Sequence, residues 1–344
     1  MSIKNTLIYP IIFAIAQIIF VLCICGVQVF PDTASYISAA DFIMTGSGEA
    51  HPTELNRLLR PLGPILSIVF TPFVGNVANG FIAENCMFLI LSSVLVSLIA
   101  KEIYNNEKVA LFSSILFSSS WVVLYHGLTI LTEMGAFFFI ILSIYLTLIF
   151  FKKDRNYKFL LIIGLTCGLG ILMKENAVMG ALFFVLMLLL SKNGTKRKID
   201  KLLVFSFAFL IPILINTTIM YYLFNYTYLD WYLYNVGRWA ASRNFIYLIY
   251  ELGFIFNIIF PFFIIGLYNQ VKNKENLKMY TSLIISSFIP VLSWPAMNSS
   301  RLVFVVFIGM IPLASYGVKL LCDYFDTSVS KIATKIIEIG IIST

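Results

Sequence analysis

Residues 31–61 read PDTASYISAADFIMTGSGEAHPTELNRLLRP and form the longest polar run in the first half of a very apolar chain. The run follows an apolar segment of helix length and carries ionisable side chains around two glycines. These side chains are Asp32, Asp41, Glu49, His51, Glu54, Arg57 and Arg60. Such a run in an apolar chain is either a plain hydrophilic loop or the rim of an active site. We interpret it as a rim, with Asp32 as its central residue.

The composition excludes a water-soluble globule. The 344 residues are 60% hydrophobic and 12% charged, with a mean hydropathy of +0.91, whereas a soluble domain usually carries about 25% charged residues. The chain is therefore predicted to be an all-α polytopic membrane protein. Its net charge of +7 then reports loop orientation, and no nucleic-acid partner is predicted. The five cysteines show neither metal-ligand nor redox spacing.

A transmembrane helix needs about 20 apolar residues, and on this basis about ten spans are placed, with bounds accurate to a few residues. The predicted spans are 6–30, 80–100, 108–125, 133–151, 158–173, 176–191, 202–224, 245–268, 279–296 and 301–321. The first is interpreted as a retained span and not a cleaved signal peptide. Segment 61–75 contains three prolines, which predicts a broken, interfacial or re-entrant helix within an outer loop of residues 31–75. Residues 1–323 form the predicted membrane domain, and 324–344 an amphipathic cytoplasmic tail.

The charges support this topology. With the N-terminus inside, one side of the membrane collects 18 of the 24 Lys and Arg residues, while the acids divide almost evenly. That is the positive-inside pattern, so both termini are predicted to be cytoplasmic in a multi-pass cell-membrane protein. The opposite, outer side holds six cations that topology does not explain: Arg57, Arg60, Lys174, Arg238, Arg243 and Arg301. Ionisable groups at span ends are costly unless they face a wet cavity or a partner.

Each candidate residue also has a plainer interpretation. Asp32 could be a general base at the membrane surface or the N-cap of a short helix, and one residue can do both. Glu133 opens a span, where an acid pairs favourably with the helix dipole. Arg60 and Arg301 could anchor at the headgroups, and Lys174 could pair with Glu175 in a tight turn. The segment GLTCGLG at 164–170 predicts close helix packing by small residues.

The order of these features resembles the GT-C superfamily of membrane glycosyltransferases, in the branch of the protein O-mannosyltransferases and the aminoarabinose transferases. The resemblance rests on Asp32 with Tyr36 four residues on, on Arg60 in LLRPLGPILSIVF, and on Glu133 in LTEMGAFFF, where members usually have Asp. GLGILMK, which ends at Lys174, and SSRLVFVVFIGMIPLASYG, which contains Arg301, complete it. The resemblance implies a GT-C fold with juxtamembrane helices in the first outer loop.

It also implies a hexosyl or pentosyl donor on a polyprenyl phosphate, presented at the outer leaflet, and inverting transfer to an acceptor hydroxyl. Asp32 and Glu133 are the predicted catalytic residues, and Arg60, Lys174 and Arg301 the predicted donor-phosphate ligands. Tyr36, Arg57, His51 and Glu175 are predicted to contact substrate. The acceptor could be a glycan, a lipid or a protein. A single donor phosphate does not demand a metal, so no cofactor is predicted, with a divalent cation as the open alternative.

Two other functions are compatible with the same composition. A transporter or flippase for a lipid-linked saccharide would share the apolar grooves and the outer cations, but transporters usually show internal repeats and polar sites at mid-depth. This sequence shows no repeat, and Glu251 is its one candidate for a charge within a span. A scaffold subunit would leave the outer set of acids and bases unexplained. The transferase is the preferred hypothesis.

Overall fold

Long apolar segments separated by short polar turns form helices in the computed structural model of the chain, which describes residues 3–46, 52–153, 155–239, 245–256, 259–293 and 304–342. Because backbone groups in a bilayer must be satisfied internally, helices are the expected solution for such a sequence. Throughout these residues the regular structure is α-helix, with a π-helical turn at Val21–Cys25 and a 3-10 turn at Glu175–Ala177. The predicted all-α class is confirmed.

The α-helices are numbered in chain order. They are α1 Ile3–Phe20, α2 Thr33–Thr45, α3 Pro52–Leu58, α4 Leu62–Val74, α5 Val77–Tyr104, α6 Glu107–Ser118, α7 Trp121–Gly127, α8 Glu133–Lys152, α9 Tyr157–Met173, α10 Val178–Leu189, α11 Thr195–Phe224, α12 Tyr228–Trp239, α13 Phe245–Phe256, α14 Phe260–Asn273, α15 Leu277–Ser293 and α16 Val305–Ile342.

The predicted spans coincide with these helices, but the count of ten is not confirmed. In the described part of the chain, 5 helices are long and apolar enough to cross a membrane, or up to 7 if each of two bent pairs is one span. The other predicted spans fall on shorter apolar helices such as α9 and α15. The last helix, α16, runs without a break from the predicted span into the predicted tail.

Two predicted straight spans are bent pairs of helices. Segment 108–125 divides into α6 and α7, which meet at 49°, and segment 245–268 divides into α13 and α14, at 94°. Pro261 occupies the first turn of α14, where its fixed φ and missing N–H are tolerated. That proline begins a new helix instead of lying within a continuous one.

The segment predicted to be broken or re-entrant is a short helix that packs against its successor. Helix α4 has 13 residues, or about 20 Å at 1.5 Å per residue, less than the roughly 30 Å of a bilayer core. Gly75 follows it at φ +94°, a conformation that favours glycine. The side chain of Asn76 then caps α5. The two helices approach closely, because a Cβ at Gly80 would collide with the carbonyl of Ser67.

Small residues bring α9 and α11 into contact, as the GLTCGLG segment predicted. A Cβ at Gly168 would collide with the carbonyl oxygen of Phe209 and the ring of Pro212, and one at Gly164 would lie 2.6 Å from the carbonyl oxygen of Phe205. Backbone oxygens cannot rotate away from such a contact as a side chain can. The two helices therefore depend on the absence of side chains at these positions.

A Gly168→Ala substitution tests this contact. We expect it to destabilise the protein by about 1–3 kcal/mol, because overpacking forces the backbones apart. Gly253→Ala is the matched control, since Gly253 also lies inside a helix but has open space around it. There alanine gains helix propensity, so stability should be unchanged or up to about 1 kcal/mol higher. Unfolding temperatures in detergent compare the two variants, and equal effects would contradict the close approach.

The two ends of the bundle carry different polar groups. Helix α8 begins at Glu133 and ends at Lys152, whose ammonium lies 3.7 Å from the Glu102 carboxylate near the end of α5. Lys101 and Glu107 form a second partly exposed ion pair at that end. The opposite end, where α8 begins, receives the described part of the polar run 31–61. This end of the bundle contains the candidate site.

Candidate active site

Asp32 is held by an arginine from the end of the same polar run. It occupies the N-cap position of α2, but its side chain makes no capping hydrogen bond. The carboxylate instead accepts from Arg57, with 2.9 Å between Oδ1 and the guanidinium nitrogen, and its side chain is 31% exposed. Of the two interpretations of Asp32, the structure favours a charged group facing the site over a helix cap.

Tyr36 lies one turn further along α2 and is buried beneath the same arginine. The Arg57 guanidinium sits 4.4 Å from the centre of the tyrosine ring, and its Nε donates to Ser35 Oγ at 3.0 Å. The Tyr36 hydroxyl lies 3.0 Å from Thr132 Oγ1, just before α8. Tyr36 therefore connects the polar run 31–61 to the start of α8.

Arg60 is the second arginine of the site and is almost completely buried. Its guanidinium donates to Glu175 Oε2 at 2.7 Å, with the arginine side chain 5% and the glutamate side chain 16% exposed. Trp231 of α12 covers it, with 5.7 Å between the guanidinium carbon and the ring centre. Arg60 Nε also donates to the carbonyl oxygen of Asn56. A buried arginine needs this many partners to offset the loss of water.

Side chains from the second half of α11 and from the start of α12 hold the backbone beside Arg60. Asn216 Nδ2 and the Tyr228 hydroxyl both donate to the carbonyl oxygen of Leu59, at 3.0 and 2.5 Å. The Tyr226 hydroxyl donates to Asn56 Oδ1 at 2.6 Å. These bonds join residues more than 150 positions apart in the sequence, and they fix the loop that presents Arg60.

Glu133 and Lys174 form the third ion pair, and it is the most deeply buried. Lys174 Nζ lies 2.5 Å from Glu133 Oε1, and the side chains are 3% and 1% exposed. Glu133 opens α8 and Lys174 follows the last residue of α9, so the pair joins the start of α8 to the end of α9. The predicted alternative, a turn in which Lys174 pairs with Glu175, is wrong, since Glu175 pairs with Arg60.

Asn85 of α5 positions the segment that leads into α8. Its side-chain amide donates to the carbonyl oxygens of Thr129 and Leu131, at 2.7 and 2.8 Å, and is fully buried. That segment continues into Thr132 and Glu133, which contact Tyr36 and Lys174 respectively. Asn85 thus orients two partners of the site from within the bundle.

The neighbouring charges of the site shift the pKa values of Tyr36 and Arg60. Burial alone would raise the pKa of the Tyr36 hydroxyl, but the nearby charges of Arg57, Arg60 and Lys174 outweigh it and lower the pKa below its ordinary value. Burial would lower the pKa of Arg60, but Glu175 above all raises it beyond its ordinary value, with help from Tyr36 and Asp32. Arg60 therefore stays charged.

The structure brings together most of the predicted site residues. Asp32, Tyr36, Arg57, Arg60, Glu133, Lys174 and Glu175 converge at one end of the bundle. The predicted ligands His51 and Arg301 lie outside the described residues. The three acids each face a cation and not one another, and no three His, Cys, Asp or Glu side chains converge as metal ligands within the described ranges.

A model of the family described as dolichyl-phosphate-mannose-protein mannosyltransferase matches residues 51–222, half of the chain. The chain belongs to this family. The predicted GT-C membership is thereby confirmed. No curated protein sequence matches the chain significantly. Arg57, Arg60, Glu133 and Lys174 lie within the matched segment, and Asp32 and Tyr36 precede it.

Solved structures of an archaeal oligosaccharyltransferase share the fold of this GT-C protein. The Archaeoglobus fulgidus enzyme in its apo form has a TM-score of 0.59 at 12% identity, over 96% of this chain and 52% of that one. The same organism's AglB with an inhibitory peptide and a dolichol-phosphate has a TM-score of 0.60 at 12% identity, over the same shares. The complex with Zn and sulfate has a TM-score of 0.58 at 14% identity, over 94% and 50%. The chain thus spans about half the length of these structures.

Some residues of the site were not predicted from the sequence. Trp231 and Tyr228 contact the Arg60 loop, but the sequence does not distinguish them from the aromatic residues that are common at membrane interfaces. Asn85 and Asn216 had a usable signal, because a polar amide inside an apolar span is costly unless it has a specific partner. Thr132 directly precedes Glu133 in the sequence and had no signal of its own.

Proposed function

We propose that this GT-C family protein transfers a sugar from a polyprenyl-phosphate donor to an acceptor hydroxyl at the outer face of the cell membrane, with inversion. The observation that carries the proposal is the convergence of a partly exposed carboxylate, Asp32, with three cations at one end of the bundle. The family and the dolichol-phosphate bound by AglB support the donor class. The positive-inside pattern supports cytoplasmic termini and an outer site.

The site supplies what this reaction requires. Asp32 takes the proton of the acceptor hydroxyl as its oxygen forms a bond with the anomeric carbon of the donor. The bond between that carbon and the phosphate oxygen breaks, and polyprenyl phosphate leaves with one more negative charge than the phosphate carried in the donor. A stable anion leaves without a general acid, so the site needs fixed cations instead. Arg57 and Arg60 are the cations on the side of Asp32.

Glu133 and Lys174 have a structural task in this scheme. Because these two side chains neutralise each other in a buried pair, we propose that their first task is to hold the outer ends of α8 and α9 together. Direct contact with the substrate remains a prediction for both. Tyr36 and Glu175 are proposed to orient Arg57 and Arg60, respectively, towards the donor.

Reconstitution tests the proposal. The protein is placed in lipid vesicles with dolichyl-phosphate-linked mannose, or a pentose on the same carrier, and a panel of serine- and threonine-containing peptides, glycolipids and glycans. We expect released dolichyl phosphate to match transferred sugar, mole for mole, and to be absent from empty vesicles. Movement of intact donor between leaflets without cleavage would contradict a transferase and favour the flippase.

A further inference from the structure

The three ion pairs of the site differ in how easily they can change partners. Both side chains of the pair between Lys174 and Glu133 are buried, and Arg60 is buried beneath Trp231. In the pair between Asp32 and Arg57, the side chains are 31% and 13% exposed, respectively. A buried charge that loses its partner is strongly destabilised, whereas a partly exposed pair opens at lower cost. Arg57 is therefore the cation of the three best placed to exchange its carboxylate for an incoming anion.

The other contacts of Arg57 would survive such an exchange. Its Nε bond to Ser35 and its stacking on the Tyr36 ring both hold the guanidinium independently of Asp32. The carboxylate is bound through a terminal guanidinium nitrogen. The planar fork of arginine binds phosphate oxygens as readily as carboxylate oxygens. Arg57 can thus remain anchored while its terminal edge turns from one anion to another.

We propose that Arg57 is a donor-phosphate ligand that releases Asp32 when the donor binds, so that the donor itself frees the base for the acceptor. This inference rests on the proposed function. Without donor, Arg57 occupies the carboxylate that would accept the proton of the acceptor hydroxyl. With donor, the phosphate oxygens accept the guanidinium N–H groups instead. The exchange makes binding ordered, with donor before acceptor, and it disfavours activation of water or acceptor in the absence of a donor.

Binding of dolichyl monophosphate, which carries no sugar, tests the exchange without any turnover. Its affinity is measured in lipid nanodiscs for the wild type, Asp32→Asn, Arg57→Gln and the double variant. Arg57→Gln should weaken binding about tenfold or more, since it removes a charge-assisted ligand. Asp32→Asn should tighten binding several-fold, because a neutral amide competes less strongly than a carboxylate for the Arg57 guanidinium. This tightening should disappear in the Arg57→Gln background, as a double-mutant cycle reveals for coupled groups.

The matched control is Arg238→Gln. Arg238 is an exposed arginine on α12 that donates to the Tyr234 hydroxyl, and its removal should leave the affinity unchanged. Arg57→Lys is a second variant that keeps the charge but loses the fork, and it should fall between wild type and Arg57→Gln. Circular dichroism and the unfolding temperature confirm that each variant is folded.

The outcomes separate this inference from the proposed function. Equal affinity of wild type and folded Arg57→Gln would overturn Arg57 as a ligand. Tightening by Asp32→Asn that persists undiminished with Arg57→Gln would overturn the exchange, because the carboxylate would then act by repulsion alone. Absence of binding by the wild type and the Arg238→Gln control would refute the donor class, and the exchange with it. The expected couplings without any sugar transfer would support the exchange and contradict the proposed reaction.

Discussion

Replacing Asp32 by asparagine is expected to slow sugar transfer by about 10²- to 10⁴-fold, the usual contribution of a positioned general base. The amide has nearly the same shape as the carboxylate and keeps an oxygen that can accept from Arg57. It cannot take up the proton of the acceptor hydroxyl. The loss should therefore fall on the chemical step while donor binding survives. Release of polyprenyl phosphate, followed at saturating donor, is the measurement.

Asp41→Asn provides a matched control on the same helix. Asp41 lies nine residues further along α2, at its exposed end, where the same chemical change should leave transfer within about twofold of wild type. An Asp32→Asn variant that turns over as fast as the wild type would show that Asp32 is not the base. An equal loss in both variants would instead indicate a general effect of charge on α2.

The sequence predicted which residues gather at the site because the membrane face of each loop follows from the order of the spans along the chain. Once the spans are placed, each loop belongs to one face of the membrane, and Asp32, Arg57, Arg60, Glu133, and Lys174 fall on the same one. The structure places them at one end of the bundle. Apolar length and Lys/Arg bias were sufficient for that step.

The pairing of acids with cations could not be predicted in the same way. It depends on how each helix is rotated and on contacts between distant segments. Arg60 meets Glu175, 115 residues away, while the adjacent Lys174 turns into the bundle to reach Glu133. The cover supplied by Trp231 comes from still further along the chain. The bend before α14 did have a sequence signal, because a proline such as Pro261 favours the first turn of a new helix. The long apolar run around it nevertheless led to the prediction of one straight span over 245–268.

Breaking the buried pair between Lys174 and Glu133 should have the largest effect on stability. Lys174→Met leaves the Glu133 carboxylate without its ammonium partner in a site that is 1% exposed, and such uncompensated charges cost about 3–5 kcal/mol. The double variant Lys174→Met, Glu133→Leu removes both charges and should recover most of the loss, because apolar residues of similar volume often replace a buried pair without penalty. The free energy of unfolding in detergent is measured for the wild type, Lys174→Met and the double variant.

Lys101→Met is the control for that comparison. Its ion pair with Glu107 lies at the opposite end of the bundle, with the side chains 30% and 25% exposed, so its loss should cost only about 0–1 kcal/mol. If Lys174→Met proved no more harmful than this control, the pair would not hold α8 and α9 together.

The folded double variant also decides what Lys174 and Glu133 do in the reaction. A pair that serves only to join helix ends can be replaced by apolar side chains without loss of transfer, and the rate should then return with the stability. A pair that also touches the substrate cannot be replaced in this way. Weakened donor affinity in a stable double variant would assign Lys174 to the phosphate, whereas normal affinity with slow transfer would assign Glu133 to the chemical step. Stability and rate must therefore be measured on the same protein. Stability alone does not distinguish a structural pair from one that also touches the substrate, and a low rate alone does not distinguish a lost contact from unfolded protein.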